Sequence, residues 1–442
     1  MEFNSENYLQ EVSSDVNSFY ELRNNRFFSW RKINTSTPVV VLRMEDYGSL
    51  GIVRSLGSLG VNVFGVDKNK HALASASRYC NESFCFDIEN ASKLKTLDFL
   101  LTLGGRIKQK SILIATSDES AMFVSKYADL LRGKFIFSEM PYDLVESLCS
   151  KKKMYSVAIK NNVPVPESFF PENLSDVLDY SEKISFPLLL KGIHGGKLEK
   201  ETGRKMVIVK DKSELINLYR LMETREEKNL MLQEYIPQVR DNMWIFNGYF
   251  DSSSNCLAAF TGIKLRQNPV YTGMTSLGVC QWNKVLSDIS TSFMKSIGYK
   301  GIVDIDFMLD PRDGEYKILD INPRIGASFR LFVGSDGEDV VRTMYLDLTS
   351  QKVTFSFPLN GRKWLVEDKD LYSSYNYFKD KNLKFSRWIL SFKGIKETGY
   401  FRMKDPHPFL LLLLNHIRKR LKKIFRRKKE KPMQSILWQK IL

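Results

Sequence analysis

Residues 300–328, KGIVDIDFMLDPRDGEYKILDINPRIGAS, constrain the fold more than any other part of this chain. They read as two strands, Gly301–Leu309 and Glu315–Asn322, joined by a tight turn over Asp310, Pro311, Arg312, Asp313 and Gly314. Strand side chains alternate between faces, so Asp304 and Asp306 share one face of the first strand, and Asp320 and Asn322 one face of the second. The opposite faces carry Val303, Ile305, Phe307, Leu309, Leu319 and Ile321, which read as core. An antiparallel register with Asp306 opposite Asp320 sets Asp304 opposite Asn322, and Arg324 lies just beyond. Carboxylates that close repel, so the patch calls for a cation. Hard oxygen ligands suit Mg²⁺, which is commonly held by one or two carboxylates plus substrate phosphates. A surface hairpin with solvated acids is the plainer alternative.

The 442 residues, 43% hydrophobic and 26% charged, predict a folded protein of two to four domains. No window reaches the ~18 consecutive apolar residues of a membrane span. The first residues, MEFNSENYLQEVSSDVNSFYEL, are acidic and polar, so no secretory signal is expected there. Five scattered cysteines without metal-ligand spacing predict reduced thiols and a cytoplasmic location, and four histidines leave little room for zinc. The net charge of +15 is concentrated in residues 417–431, where ten Lys/Arg face one Glu. The pI therefore describes a tail more than the fold, and no specific nucleic acid is expected as partner.

In chain order, residues 1–36 are expected to be a helical arm, Tyr8 to Trp30. Strands are predicted at Val39–Leu42, Val61–Asp67, Ser83–Asp87, Ser111–Thr116 and Lys134–Phe137, with helices between them, one over Ile52–Leu59. This alternation indicates a parallel α/β sheet, whose ligands bind beyond the strands' carboxyl ends, here at the loops Arg43–Ser49 and Thr116–Ser120. Gly48-x-x-Gly51 lacks the full dinucleotide fingerprint, which favours a substrate-side or structural role. From Cys149 the texture changes. A basic turn opens a helix, and Pro164 and Pro166 force an extended segment. Strand Phe186–Lys191 follows, then a loop with Gly192, Gly195 and Gly196, and a returning strand Lys205–Val209. Such a loop can present N–H groups to a polyphosphate, or be a plain glycine hairpin with solvated lysines. A helix Ser213–Glu227 leads to strands Leu230–Glu234 and Met243–Phe250. Lys264 and Arg266, two apart, are expected on one side of a strand, as a charged phosphate requires or as guards of a sheet edge.

The order of these elements resembles the ATP-grasp superfamily, within it the carboxylate–amine ligase-like proteins related to carbamoyl phosphate synthase and D-aspartate ligase. The likeness covers roughly Pro38–Leu348, and its most specific piece is Asp320-Ile321-Asn322-Pro323-Arg324. It implies an α/β and α+β chain: helical arm 1–36, a parallel α/β (pre-ATP-grasp) domain 37–148, a two-subdomain ATP-grasp fold with lid 149–228 and catalytic part 229–352, an accessory segment 353–404, and a basic extension 405–442. By the resemblance, Lys151 and Lys191 contact the nucleotide phosphates, and Gly195 and Gly196 belong to the loop closing over them. Gln233, Glu234, Tyr235 and Ile236 form the hinge that reads adenine, and Asp241 holds the ribose. Asp306, Asp320 and Asn322 hold Mg²⁺, with Mn²⁺ as the alternative metal. Arg324 meets the transferred phosphate, and Lys264 and Arg266 match a K-x-R strand. Three departures stand out: Asp at both metal positions, Pro237-Gln238 after the hinge, and a lysine-rich phosphate loop.

The resemblance implies ATP-dependent joining of a carboxylate to an amine, an amino acid by expectation, through an acyl phosphate, with a setting in cell-envelope or polysaccharide modification. A bicarbonate-activating enzyme like biotin carboxylase and a non-catalytic nucleotide-binding module are the alternatives. No A-M-K-M biotin motif occurs in the chain. Residues 353–404 are aromatic and basic and are expected to pack as a small accessory domain. The tail joins a short apolar run to its basic cluster, which reads as an interfacial helix for an anionic membrane surface, a peripheral attachment. A solvated basic tail and nucleic acid are its alternatives.

Overall fold

The computed structural model describes residues 33–203, 206–223, 228–354 and 356–438. The expected arm, Tyr8 to Trp30, lies outside them. Contacts divide the chain between Asn34 and Thr35, and everything below concerns Thr35–Leu442.

Five short strands, β1 (Val39–Leu42), β2 (Val63–Asp67), β3 (Glu82–Cys85), β4 (Ser111–Ala115) and β5 (Phe135–Ile136), form a wholly parallel sheet of order β3-β2-β1-β4-β5. β1 is buried along its whole length, as a central strand covered on both faces must be. Helices α1 (Tyr47–Gly57), α2 (Lys93–Ile107) and α3 (Asp118–Lys126) provide the crossovers. The side chains of Asp46, Ser92 and Ser117 cap them by accepting backbone N–H groups. Because Asp46 caps α1, that helix begins at Tyr47, five residues ahead of the expected start. Gly48 and Gly51 therefore lie inside a helix. A β-carbon on Gly48 would stand 2.8 Å from the Ala327 backbone, and one on Gly51 2.8 Å from Phe329 and Arg330. The pair lets α1 lie flush on the segment that follows the acid hairpin.

Helices α4 (Tyr142–Cys149) and α5 (Lys151–Lys160) lead to a four-stranded antiparallel sheet of order β6-β9-β7-β8. Its strands are β6 (Ser168–Phe169), β7 (Leu188–Gly192), β8 (Met206–Val209) and β9 (Leu230–Glu234). Helices α6 (Leu174–Ser181), α7 (Gly195–Thr202) and α8 (Lys212–Met222) belong to the same region, and its core includes Leu188, Leu190, Leu215, Tyr219 and Leu232. One expectation is corrected here: Gly195 and Gly196 do not lie in an open loop but in the first turn of α7.

The third sheet has seven strands, of order β14-β13-β10-β11-β12-β15-β16. They are β10 (Met243–Phe250), β11 (Cys256–Asn268), β12 (Met274–Cys280), β13 (Gly301–Leu309), β14 (Tyr316–Asn322), β15 (Lys363–Leu365) and β16 (Ile395–Thr398). Helices α9 (Lys284–Ser296) and α10 (Val340–Leu348) belong to this body. Its core includes Trp244, Phe246, Phe250, Phe307 and Ile318, side chains large enough to account for much of the burial free energy of the region. The segment 353–404 does not form a separate domain. β15 pairs with β12 and β16 with β15, so it completes the large sheet, while α11 (Glu367–Lys379) packs on β11 and β12 and α12 (Phe385–Ser391) follows. The chain ends in a long helix, α13 (His407–Trp438). Among the described residues, no helix is long and apolar enough to cross a membrane.

Candidate active site

The hairpin adopts the register considered for it: Asp304 pairs with Asn322 and Asp306 with Asp320. One residue further the pairing slips, because a bulge sets Phe307 against Ile318. Ile318 thus enters the main core, whereas Leu319, expected there, packs with Ile236, Met243 and Met308 in a small apolar cluster. That cluster begins at the end of the expected hinge. The bulge had no marker in the alternating pattern.

One oxygen of Asp320, one of Asp306 and the Asn322 carbonyl each meet a cation from a different part of the chain. Lys151, the first residue of α5, places its Nζ 2.7 Å from Asp320 Oδ1. Lys264 on β11 places its Nζ 2.7 Å from Asp306 Oδ2. Arg324 donates from Nε to Asp118 Oδ1 at 2.8 Å and from a terminal nitrogen to Asn322 Oδ1 at 2.9 Å. Asp118 opens α3 at the carboxyl end of β4, so the parallel sheet contributes directly to the patch. Burial opposes the charges, yet Asp320 is held below its ordinary pKa by Lys151, and Lys151 is raised above its own by Asp320. Arg324 is likewise raised by Asp118 against the cost of burial.

Asp304 stands apart from this pairing. Burial, then the neighbouring Asp306 charge, push its carboxyl up to about 7. Asn247 Nδ2 donates to it at 3.2 Å, and a β-carbon on Gly326 would fall 2.3 Å from its carboxyl carbon. It is a half-buried acid held against backbone.

Lys191, at the end of β7, is buried and donates to Gln233 Oε1 at 3.1 Å, while the Gln233 amide donates to Tyr155 and Ser168. Burial, reinforced by Lys151, pushes the Lys191 ammonium down to about 7. The expected hinge is where β9 ends: Ile236 is buried and Tyr235 half-buried. Glu234 accepts from Lys317 Nζ at 3.2 Å, from Arg312 and from the Glu167 backbone, and Lys317 in turn reaches Asp310 Oδ2 at 2.7 Å. Glu234 therefore fastens the four-stranded sheet to the hairpin turn. Asp241 sits in the loop after β9 with left-handed backbone (φ 62°), its carboxylate 3.2 Å from Arg240.

Arg266 is not brought to the acid patch, which corrects the expectation that it shares a side with Lys264. The strand is irregular between them: Lys264 pairs with Gly278 and Arg266 with the very next residue, Leu277. The displaced guanidinium is buried and forks onto both Asp370 oxygens, at 2.7 and 2.9 Å.

Asp118, Asn247, Gly326 and Lys317 are the participants that reading the residues missed. Only Asp118 carried a signal, since its loop at a strand's carboxyl end was already a place for ligands. As a whole, the patch can present oxygen donors and mobile ammonium groups to a polyphosphate.

A family model described as the carbamoyl-phosphate synthase L chain, ATP binding domain, matches residues 275–346, which include both hairpin strands and Arg324. A D-aspartate ligase of Enterococcus faecium is 26% identical over 282 residues, covering 60% of this chain and 67% of that protein. The arginine-specific large chain of carbamoyl phosphate synthase from Halalkalibacterium halodurans is 22% identical over 80% of this chain, which spans only 33% of that relative. Among solved structures, an L-amino acid ligase from Bacillus licheniformis superposes with a TM-score of 0.54 at 15% identity, covering 74% of this chain and 76% of its own. The biotin carboxylase domain of a 2-oxoglutarate carboxylase from Hydrogenobacter thermophilus, in complex with MgADP, ADP and bicarbonate, gives 0.56 at 15%, covering 73% and 72%. At these identities the structural likeness is one of fold.

Proposed function

Since the chain belongs to the ATP-grasp superfamily, we propose that it is an ATP-dependent ligase that joins a carboxylate to an amine through an acyl phosphate. The observation that carries this reading is the convergence on one hairpin face of Asp306, Asp320 and Asn322 with Lys151, Lys264 and Arg324. D-aspartate ligase, the relative in the 26% comparison, supports an amino acid as one substrate.

The donor set fits a divalent cation. Asp306 and Asp320 each engage a lysine through one oxygen, and the second oxygen of each makes no hydrogen bond among the described residues. Asp306, Asp320 and Asn322 would hold Mg²⁺ (or Mn²⁺), which when bound neutralises polyphosphate charge. The protein's own groups do the rest. Lys151 and Lys191 bind phosphate oxygens, Arg324 faces the transferred phosphoryl group, and Ile236, Met243, Met308 and Leu319 offer an apolar bed for the base beside the hinge. Gly195 and Gly196, in the first turn of α7, would turn N–H groups toward the phosphates. Asp241 remains the candidate for the ribose.

A carboxylate oxygen attacks the γ-phosphorus, the bond to the bridging oxygen breaks and ADP leaves. Positioning and charge neutralisation are the main contributions in such a transfer. The amine nitrogen then attacks the acyl carbon, phosphate departs with the bonding electrons, and the nitrogen's proton passes to solvent or phosphate. ADP release with a panel of amino acids and cell-envelope precursors tests the reading, Asp320→Ala serving as blank. An acid–amine pair that raises ADP release above the blank is expected. If none does, the ligase reading fails, and bicarbonate-stimulated release without an amine would assign a carboxylase instead.

A further inference from the structure

The last helix is apolar on two faces. Its first turns dock on the turn Ala74–Ala76, with Pro408 and Leu412 buried, and Asp405 just ahead of it is locked to Arg54. On the far side Leu410, Leu414, Ile417 and Leu421 are exposed, with Leu413 at the edge. At ~100° per residue these four lie about 140–200° round the helix from Leu412. A soluble helix normally has one such stripe, so a second, outward one needs a cover.

A second exposed apolar patch lies on neighbouring elements, on the His416 side of α13, about 40° from Leu412. His416 Nε2 lies 3.4 Å from Asp368 Oδ2 on α11. One and two turns beyond Asp368, Leu371, Tyr372 and Tyr375 are exposed. The rings of Phe378 and Phe385, 6.4 Å apart, connect α11 to α12, where Phe385, Ile389 and Leu390 are also exposed. Basic residues flank the outward stripe, with Arg418, Arg420 and Lys422 about 70–110° round α13 from its centre, and Lys384 and Arg387 stand at the start of α12 and within it.

We propose that the outward face of α13 docks on an anionic lipid surface, with the helix lying in the interface plane. Charge selects this occupant. A second copy of a chain carrying +15 would bring two basic faces together. A nucleic acid would use the lysines and arginines but leave the leucines uncovered. Anionic headgroups over acyl chains satisfy both, with long basic side chains reaching to the headgroup level.

The test uses the full-length protein and vesicles of phosphatidylcholine with or without about 30% phosphatidylglycerol. Wild type should sediment with the anionic vesicles and not with the neutral ones. At about 1 kcal/mol per basic residue near the surface, Arg418→Gln/Arg420→Gln/Lys422→Gln should weaken partitioning about 100-fold. Leu414→Gln/Ile417→Gln/Leu421→Gln should weaken it at least about 10-fold, with thermal midpoint and vesicle-free ADP release unchanged. Three results would overturn the proposal: no vesicle binding by wild type, equal binding by the leucine variant, or a wild-type dimer that the leucine variant abolishes.

Discussion

Two sets of ion pairs in this molecule use the same chemistry to opposite ends. Around the C-terminal third, arginine ion pairs are sealed in. Arg54 and Asp405 are 3% and 0% exposed, and Arg266 meets Asp370 in a fork through Nε and Nη2 while Ser276 and Ser374 supply further hydrogen bonds. On the hairpin's polar face, Lys151 and Lys264 each meet an aspartate with one contact, and Lys151 and Asp320 are 14% and 41% exposed. A planar fork fixes geometry, whereas an ammonium on a flexible stem is a movable point charge. The first set joins the C-terminal segment to the rest of the unit. The second leaves an oxygen of each acid available and can exchange partners when a ligand arrives.

That contrast predicts separable defects. The largest effect is expected for Asp370→Ala, which strands the Arg266 charge among buried groups and should cost about 3–5 kcal/mol of stability. A denaturant titration measures it, and a loss under about 1 kcal/mol would remove the distinction. Next comes Asp320→Ala, for which ADP release should fall about 10²–10³-fold, or about 3–4 kcal/mol, with little change in the unfolding midpoint. A midpoint that falls as far as in Asp370→Ala would make the hairpin pair structural as well. Replacing both partners, Arg266→Met with Asp370→Leu, should restore most of the lost stability, because no unpaired charge remains. If the double variant is as unstable as the single one, the site depends on the fork itself.

The smallest effect concerns Lys191. Its folded pKa of about 7 lies below its ordinary 10.5. Between those values the unfolded chain binds the extra proton, so this residue makes stability rise with pH from about 7 towards 10, by at most about 1.4 kcal/mol per unit. Lys191→Met should lack that rise when unfolding free energies are compared at pH 7, 8 and 9. An identical pH slope in both proteins would show that Lys191 is charged in the fold throughout.

Much of the site was legible because strands advertise their faces. That Asp304 and Asp306 share one face, and Asp320 and Asn322 another, follows from period-2 alternation. The pairing considered for them is the one the strands adopt, and β1, β9 and β10 run over the expected residues. What was not legible depends on irregularities and on partners distant in the chain. The bulges that redirect Leu319 and Arg266 leave no composition signal. Asp118 reaches Arg324 across 206 positions, and Asp370, which claims Arg266, lies 104 positions away in a segment read as a separate accessory domain. Glycines at 195 and 196 suggested an open loop, yet the lysine- and glutamate-rich run after them has good helix formers, and α7 results.

The account rests on the hairpin face being a metal–nucleotide site. Calorimetric titration of ADP into the wild-type protein, with Mg²⁺ and with chelator, tests this directly against Asp320→Ala and Asp370→Leu/Arg266→Met. The account predicts Mg²⁺-dependent binding to wild type and the Arg266 double variant, and its loss in Asp320→Ala. Equal, metal-independent affinity in all three proteins would contradict it.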